Sequence, residues 1–176
     1  LPYIFQSCYD FKCGSGRIKP LRCPVLKRDK SKFQDTLDDL LFNQELPMEI
    51  SYNKSRIDVS EESTNGDMMQ IAIGQGTTGM TPVHLNMITN AIANDGTLMK
   101  PYIISSVENS TGSVIKQFSP SAYKKIISEQ EAAVLTDLMQ DVVEEGTARK
   151  LKGMSYTAAG KTGSAEYNKV KGDSHA

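Results

Sequence analysis

The residues best suited to chemistry lie in one run, Ala159-Gly160-Lys161-Thr162-Gly163-Ser164-Ala165-Glu166. The Lys161 ammonium would supply positive charge beside a reactive serine and share in moving its proton. The hydroxyls of Thr162 and Ser164 would bind a substrate carboxylate. Gly163 removes a side chain, so a substrate could lie against the strand edge. A backbone N–H just after it could point at a developing oxyanion. A Lys-Thr-Gly triplet also recurs by chance, so its surroundings must decide.

Other reactive types are less orderly. Cys8, Cys13 and Cys23 lack the paired short spacings of a zinc site, and His84 and His175 stand far from them. No metal is implied, and an odd cysteine count argues against a disulfide framework. Net charge is −1, which gives the whole chain no electrostatic case for nucleic acid or an anionic membrane. Locally the charge is uneven: eight basic residues fall between Lys12 and Lys32 against Asp29 alone. That stretch, with Pro20 and Pro24, reads as a solvated linker or as a basic arm. No run of about 18 apolar residues could span a bilayer. The chain opens on Leu1 rather than methionine and is read as a fragment.

Periodicity supplies the elements. Phe33, Leu37, Leu40 and Leu41 predict a short amphipathic helix ended by Leu46-Pro47. Residues 58–67 read as a loop, and 68–73 as a strand or buried turn. Thr81-Pro82 opens a helix over 81–95, with a threonine cap, proline at the first turn and Gly96 at its end. Val83, Met87, Ile88, Ala91 and Ile92 form its apolar face. A strand over 98–107, a turn at 109–112 and a return strand over 113–118 predict a hairpin. Ser128-Glu129-Gln130-Glu131 is a capping box for a helix over 128–145, with Leu135, Leu138, Met139 and Val142 inward. Residues 161–167 are expected to form a strand. Helices between antiparallel strands indicate an α+β arrangement in one domain.

Short patterns follow each other in a fixed order. They are Ile73-Gly74-Gln75-Gly76, Met80-Thr81-Pro82, Ala91-Ile92-Ala93-Asn94-Asp95-Gly96, Lys100-Pro101-Tyr102 and Val142-Val143-Glu144-Glu145-Gly146-Thr147-Ala148, then the Lys-Thr-Gly run. The series resembles the transpeptidase domain of penicillin-binding proteins, particularly the class B kind, over residues 33–176. Residues 1–32 match it poorly. The resemblance implies part of a serine β-lactamase/transpeptidase-like fold, an antiparallel sheet with packed helices, incomplete at both ends. Lys161, Thr162, Gly163 and Ser164 would be its third active-site motif, with Lys161 catalytic. Gly74, Gln75 and Gly76 would form a tight turn.

The family needs two further motifs. Ser-x-x-Lys belongs upstream of this chain. Ser113-Val114-Ile115-Lys116 and Ser121-Ala122-Tyr123-Lys124 match it literally, but neither opens a buried apolar helix, and both are read as decoys. For Ser-x-Asn, Ser51-Tyr52-Asn53 falls too late. Ser7-Cys8-Tyr9 falls nearer the expected place with tyrosine for asparagine, so Ser7 is either the carried-over catalytic serine of that motif or a loop serine. A tryptophan-bearing strand is also expected after residue 176.

The resemblance thus implies part of a peptidoglycan D,D-transpeptidase that cross-links stem peptides through a serine acyl-enzyme. Its partners would be a stem peptide ending in D-Ala-D-Ala and β-lactam antibiotics, with no cofactor. The parent would act on the extracytoplasmic face of the cell membrane, anchored by a segment absent here. The fragment alone is expected to be inactive for want of Ser-x-x-Lys. A β-lactam-sensing receptor domain and a catalytically inactive interaction fragment are the alternatives.

Overall fold

The computed structural model describes residues 30–163, and the backbone of 165–166 and 174–175. Ser7, the three cysteines, the basic stretch up to Asp29, Ser164 and Tyr167 lie outside the described residues.

The chain folds as α+β. Helix α1 (Lys30–Asp39) buries Phe33 and Leu37. It stops before Leu40 and Leu41, which are buried in the turn that follows, with Leu41 in the left-handed region at φ 65°. Helix α2 (Asn65–Ala72) buries Met68, Ile71 and Ala72. The strand-or-turn reading of residues 68–73 is therefore corrected. Thr64 caps the helix, its hydroxyl accepting from the Asp67 N–H while the Asp67 carboxylate accepts from Thr64 N–H. Aspartate replaces the usual glutamate of that box, so the start signal was read as loop. Gly74-Gln75-Gly76 follows as a turn, with Gly74 N–H bonded to the Ile71 carbonyl.

Helix α3 (Pro82–Ala93) fills the predicted span and also buries His84. Thr81 sits at the cap without using its hydroxyl as one. Instead its backbone N–H donates to Oγ of the buried Ser55 at 3.0 Å, so a residue distant in sequence steadies the helix entry. The helix ends as expected at Gly96, φ 83°, whose carbonyl accepts from the Ile126 N–H. A Cβ there would lie 2.1 Å from the Ile127 carbonyl oxygen. Only glycine allows this approach of helix end and return strand.

The expected strand over 98–107 is two strands. β1 (Thr97–Met99) pairs antiparallel with β4 (Ala122–Lys125), and β2 (Ser106–Glu108) pairs with β3 (Val114–Gln117). Pro101 stands between β1 and β2 and can donate no ladder bond. β4 was not foreseen. The turn before β3 is as predicted: the Asn109 side chain accepts from the backbone of Thr111 and Ser113.

Helix α4 (Glu129–Glu144) carries the predicted capping box, with Ser128 Oγ accepting from Glu131 N–H at 3.2 Å and the Glu131 carboxylate from Ser128 N–H at 2.9 Å. Its buried face is Ala132, Leu135 and Val143; Leu138, Met139 and Val142 are only half-buried. β5 (Ala165–Glu166) pairs with β6 (Ser174–His175). Lys161–Gly163 is not strand, which shortens the predicted 161–167, because no strand runs beside it among the described residues.

One apolar core joins the pieces. Leu37, Leu40, Met87, Ile88, Ala91, Leu98, Ile127 and Leu135 belong to it, and Leu98 and Leu135 are completely buried. Each such leucine contributes about 1.5–3 kcal/mol relative to exposure. The core fixes α3 against β1 and against α4, and α4 in turn carries the segment considered next.

Candidate active site

The Lys161-Thr162-Gly163 segment is held from the end of α4. Leaving the helix, Gly146 N–H bonds the Asp141 carbonyl at 3.1 Å and Ala148 N–H the Val142 carbonyl at 3.1 Å. Arg149 Nε donates to the Glu145 carbonyl at 3.0 Å. Carbonyls that a helix end leaves unpaired are thus satisfied locally. Gly146 is needed for this path, since a Cβ would meet the Val142 carbonyl oxygen at 2.7 Å. A short helical turn (Arg149–Leu151) and an exposed loop then bring the chain back.

On return it is tied twice. Gly160 N–H donates to the Met139 carbonyl of α4 at 3.0 Å. The Thr162 hydroxyl hydrogen-bonds the Thr147 hydroxyl at 2.7 Å. Lys161, Thr162 and Gly163 are all exposed. Lys161 bonds the Thr162 carbonyl and enters no ion pair among the described residues. A Cβ on Gly160 or Gly163 would meet nothing within 4 Å, so this edge is open to solvent. The arrangement presents an ammonium, a fixed hydroxyl and bare backbone together, which suits a carboxylate and an acyl oxygen. Of the predicted site residues, Lys161, Thr162 and Gly163 are together by sequence and by these ties. Ser164 and Ser7 are outside the described residues.

Thr147 was quoted in the sequence pattern but given no role. Only folding brings it to Thr162, fifteen residues away. A hydroxyl directly after a helix-ending glycine was the available signal.

Three literal Ser-x-x-Lys matches lie among the described residues, including Ser51-Tyr52-Asn53-Lys54, which the sequence reading missed as such. Lys54 is ion-paired to Glu45 at 2.7 Å, and Lys124 to Asp39 at 2.9 Å. The Lys116 ammonium sits over the Phe118 ring, 4.5 Å from its centre. None opens a helix. Lys116 and Lys124 lie on strands, and Ser113 and Ser121 stand just before those strands.

Two clefts of about 370 and 490 Å³ lie elsewhere and include no residue of the Lys-Thr-Gly segment. No group of three or more metal-ligating side chains occurs among the described residues. No helix among them is long and apolar enough to cross a membrane.

Residues 26–176 match the family model for the penicillin binding protein transpeptidase domain. The chain belongs to this family. Among curated relatives, the peptidoglycan D,D-transpeptidase PbpA of Mycolicibacterium smegmatis is 35% identical over 112 residues, covering 60% of this chain and 23% of its own length. Among solved structures, the D,D-transpeptidase domain of a peptidoglycan glycosyltransferase from Eggerthella lenta superposes with a TM-score of 0.71 at 25% identity. That match covers 82% of this chain and 38% of the other. The ceftriaxone acyl-enzyme of penicillin-binding protein A from M. tuberculosis gives a TM-score of 0.70 at 24% identity, covering 79% and 31%. This chain therefore spans about a quarter of the curated relative and about a third of the solved ones. The α+β fold is that of the penicillin-binding protein transpeptidase domain.

Proposed function

We propose that the full-length protein containing this chain is a serine-type peptidoglycan D,D-transpeptidase. Its serine attacks the penultimate carbonyl of a stem peptide ending in D-Ala-D-Ala and releases D-alanine. The acyl group then passes to an amine on a neighbouring strand. β-Lactams imitate the donor and are held as an acyl-enzyme, as in the M. tuberculosis relative with ceftriaxone. The reaction takes place on the extracytoplasmic face of the membrane, with the protein anchored through a segment outside this chain.

The observation that carries this reading is the exposed Lys161-Thr162-Gly163 segment, tied at Met139 and Thr147 within a domain of this family. In this reading Lys161 favours the deprotonated serine and the substrate carboxylate. Thr162 and Ser164 hydrogen-bond that carboxylate, and Gly163 leaves the substrate room. By itself the chain is inactive: its Ser-x-x-Lys matches open no helix and hold their lysines in ion pairs or over a ring.

Acylation by a fluorescent penicillin tests both parts. In the full-length protein, Lys161→Ala is expected to acylate about 30- to 1,000-fold more slowly, the loss of one charge-assisted contact of about 2–4 kcal/mol. The melting temperature should barely move, because Lys161 is exposed and enters no ion pair among the described residues. Lys150→Ala is the control and should acylate normally. A folded Lys161→Ala protein that acylates at the parental rate rules out this site. The chain alone should take up no label, and label on Ser51, Ser113 or Ser121 would defeat its assignment as inactive.

A further inference from the structure

We infer that Thr147 is a positioning residue for the acyl-transfer reaction, setting the hydroxyl of Thr162 toward the substrate carboxylate. The inference rests on the site reading above and deepens it.

The two hydroxyl oxygens are 2.7 Å apart, and either can be the donor. Each hydroxyl has one proton, so the bond uses one proton and leaves the other free. When Thr147 donates the shared bond, the proton left free is that of Thr162, in the segment that also carries the Lys161 ammonium, and Thr162 and Lys161 are both exposed. An anionic group meeting this edge would find a cation and a hydroxyl whose rotation is already restricted. A lone exposed threonine would have to give up that freedom on binding.

Thr147 can hold this position because its own place is fixed. The residues on either side of it, Gly146 and Ala148, donate N–H bonds to Asp141 and Val142 in the last turns of α4. Gly146 has no space for a Cβ, so the approach is sterically defined. Gly160, two residues before Thr162, is anchored on the same helix at Met139. Helix α4 thus carries both partners of the hydroxyl pair, and the core that seats Leu135 seats the pair as well.

The test is the rate of acylation of the full-length protein by a fluorescent penicillin, which bears a carboxylate, and by a penicillin methyl ester, which does not. Thr147→Val keeps the shape and removes the hydroxyl, while Thr147→Ser keeps the hydroxyl. Expected are a loss of about 5- to 30-fold for valine with the carboxylated probe, near-parental rates for serine, and no added loss for valine with the ester. Melting temperatures should agree within a degree or two, and Thr147→Ala replaces valine if valine unfolds the protein. Parental rates for Thr147→Val alongside a slow Lys161→Ala overturn the inference and leave the site reading intact. Parental rates for both overturn both. Equal losses for valine and serine, or an equal loss on the ester, would mean that Thr147 acts on the fold and not on the carboxylate, which also overturns the inference.

Discussion

His84 shows how one side chain can make the domain sensitive to pH. It is completely buried, and its Nε2 lies 2.7 Å from the Leu40 carbonyl, which requires Nε2 to carry the proton. Nδ1 has no hydrogen-bond partner among the described residues, and the Phe42 ring packs against the imidazole with ring centres 5.0 Å apart. Burial pushes the pKa below the ordinary 6.5, and the Leu40 bond offsets this only partly. Below about 6.5 the unfolded chain therefore binds a proton that the folded chain resists. The contribution is complete above that pH and is lost as pH falls beneath it. Denaturant midpoints measured from pH 7.5 to 5 should decline in parental protein and decline less in His84→Gln. Replacing His84 by alanine leaves a cavity and a bare Leu40 carbonyl, and should cost about 2–5 kcal/mol at pH 7.5. Sequence alone gave no reason to single out His84: a histidine on the apolar face of α3 became informative only when Leu40 was found above it.

At the scale of elements, the helix ends are the sharpest tests. Ser128→Ala removes the α4 cap and should cost about 1 kcal/mol, read as a lower denaturant midpoint with an unchanged slope. Gly96→Ala meets both a left-handed backbone and the Ile127 carbonyl, and should cost about 2–4 kcal/mol. These ends were also the most legible part of the sequence. Ser128 to Glu131 and Thr81-Pro82 to Gly96 declare their helices locally, through residues a few positions apart. What escaped reading depended on distant partners. β4 exists because Lys124 and Lys125 meet Leu98 and Thr97, more than twenty residues earlier, and nothing within residues 122–125 announces that. The bond from Thr81 N–H to Ser55, 26 residues earlier, escaped for the same reason. In the site, the Lys161-Thr162-Gly163 identity was legible as a pattern, whereas its attachment through Thr147 was not.

For the whole molecule, stability is unevenly spread. Helices α3 and α4 share the core with Leu98, Ile126 and Ile127, which flank or lie in the β1–β4 pair. The β2–β3 hairpin stands apart: every residue of β3 is exposed, including Val114 and Ile115, and Ile103 just before the hairpin is 78% exposed. A two-stranded hairpin with little buried surface is marginal on its own. Amide exchange should therefore be fast over Ser106–Glu108 and Val114–Gln117 and slowest in α3 and α4. Protection of the hairpin equal to that of α4 would show that it is covered in solution.

The return loop after Leu151 has a use of its own. Residues 152–157 are all exposed, and the chain is pinned on both sides, at Leu151 through Ala148 and at Gly160 through Met139. Lengthening a flexible loop between fixed ends costs little, about 0.6 kcal/mol for each doubling. An epitope or a fluorophore-binding tag spliced in near Gly153 should thus be carried a few residues from Lys161 while the segment stays where α4 holds it. The Lys161-Thr162-Gly163 segment could then be watched from a reporter that touches none of its atoms.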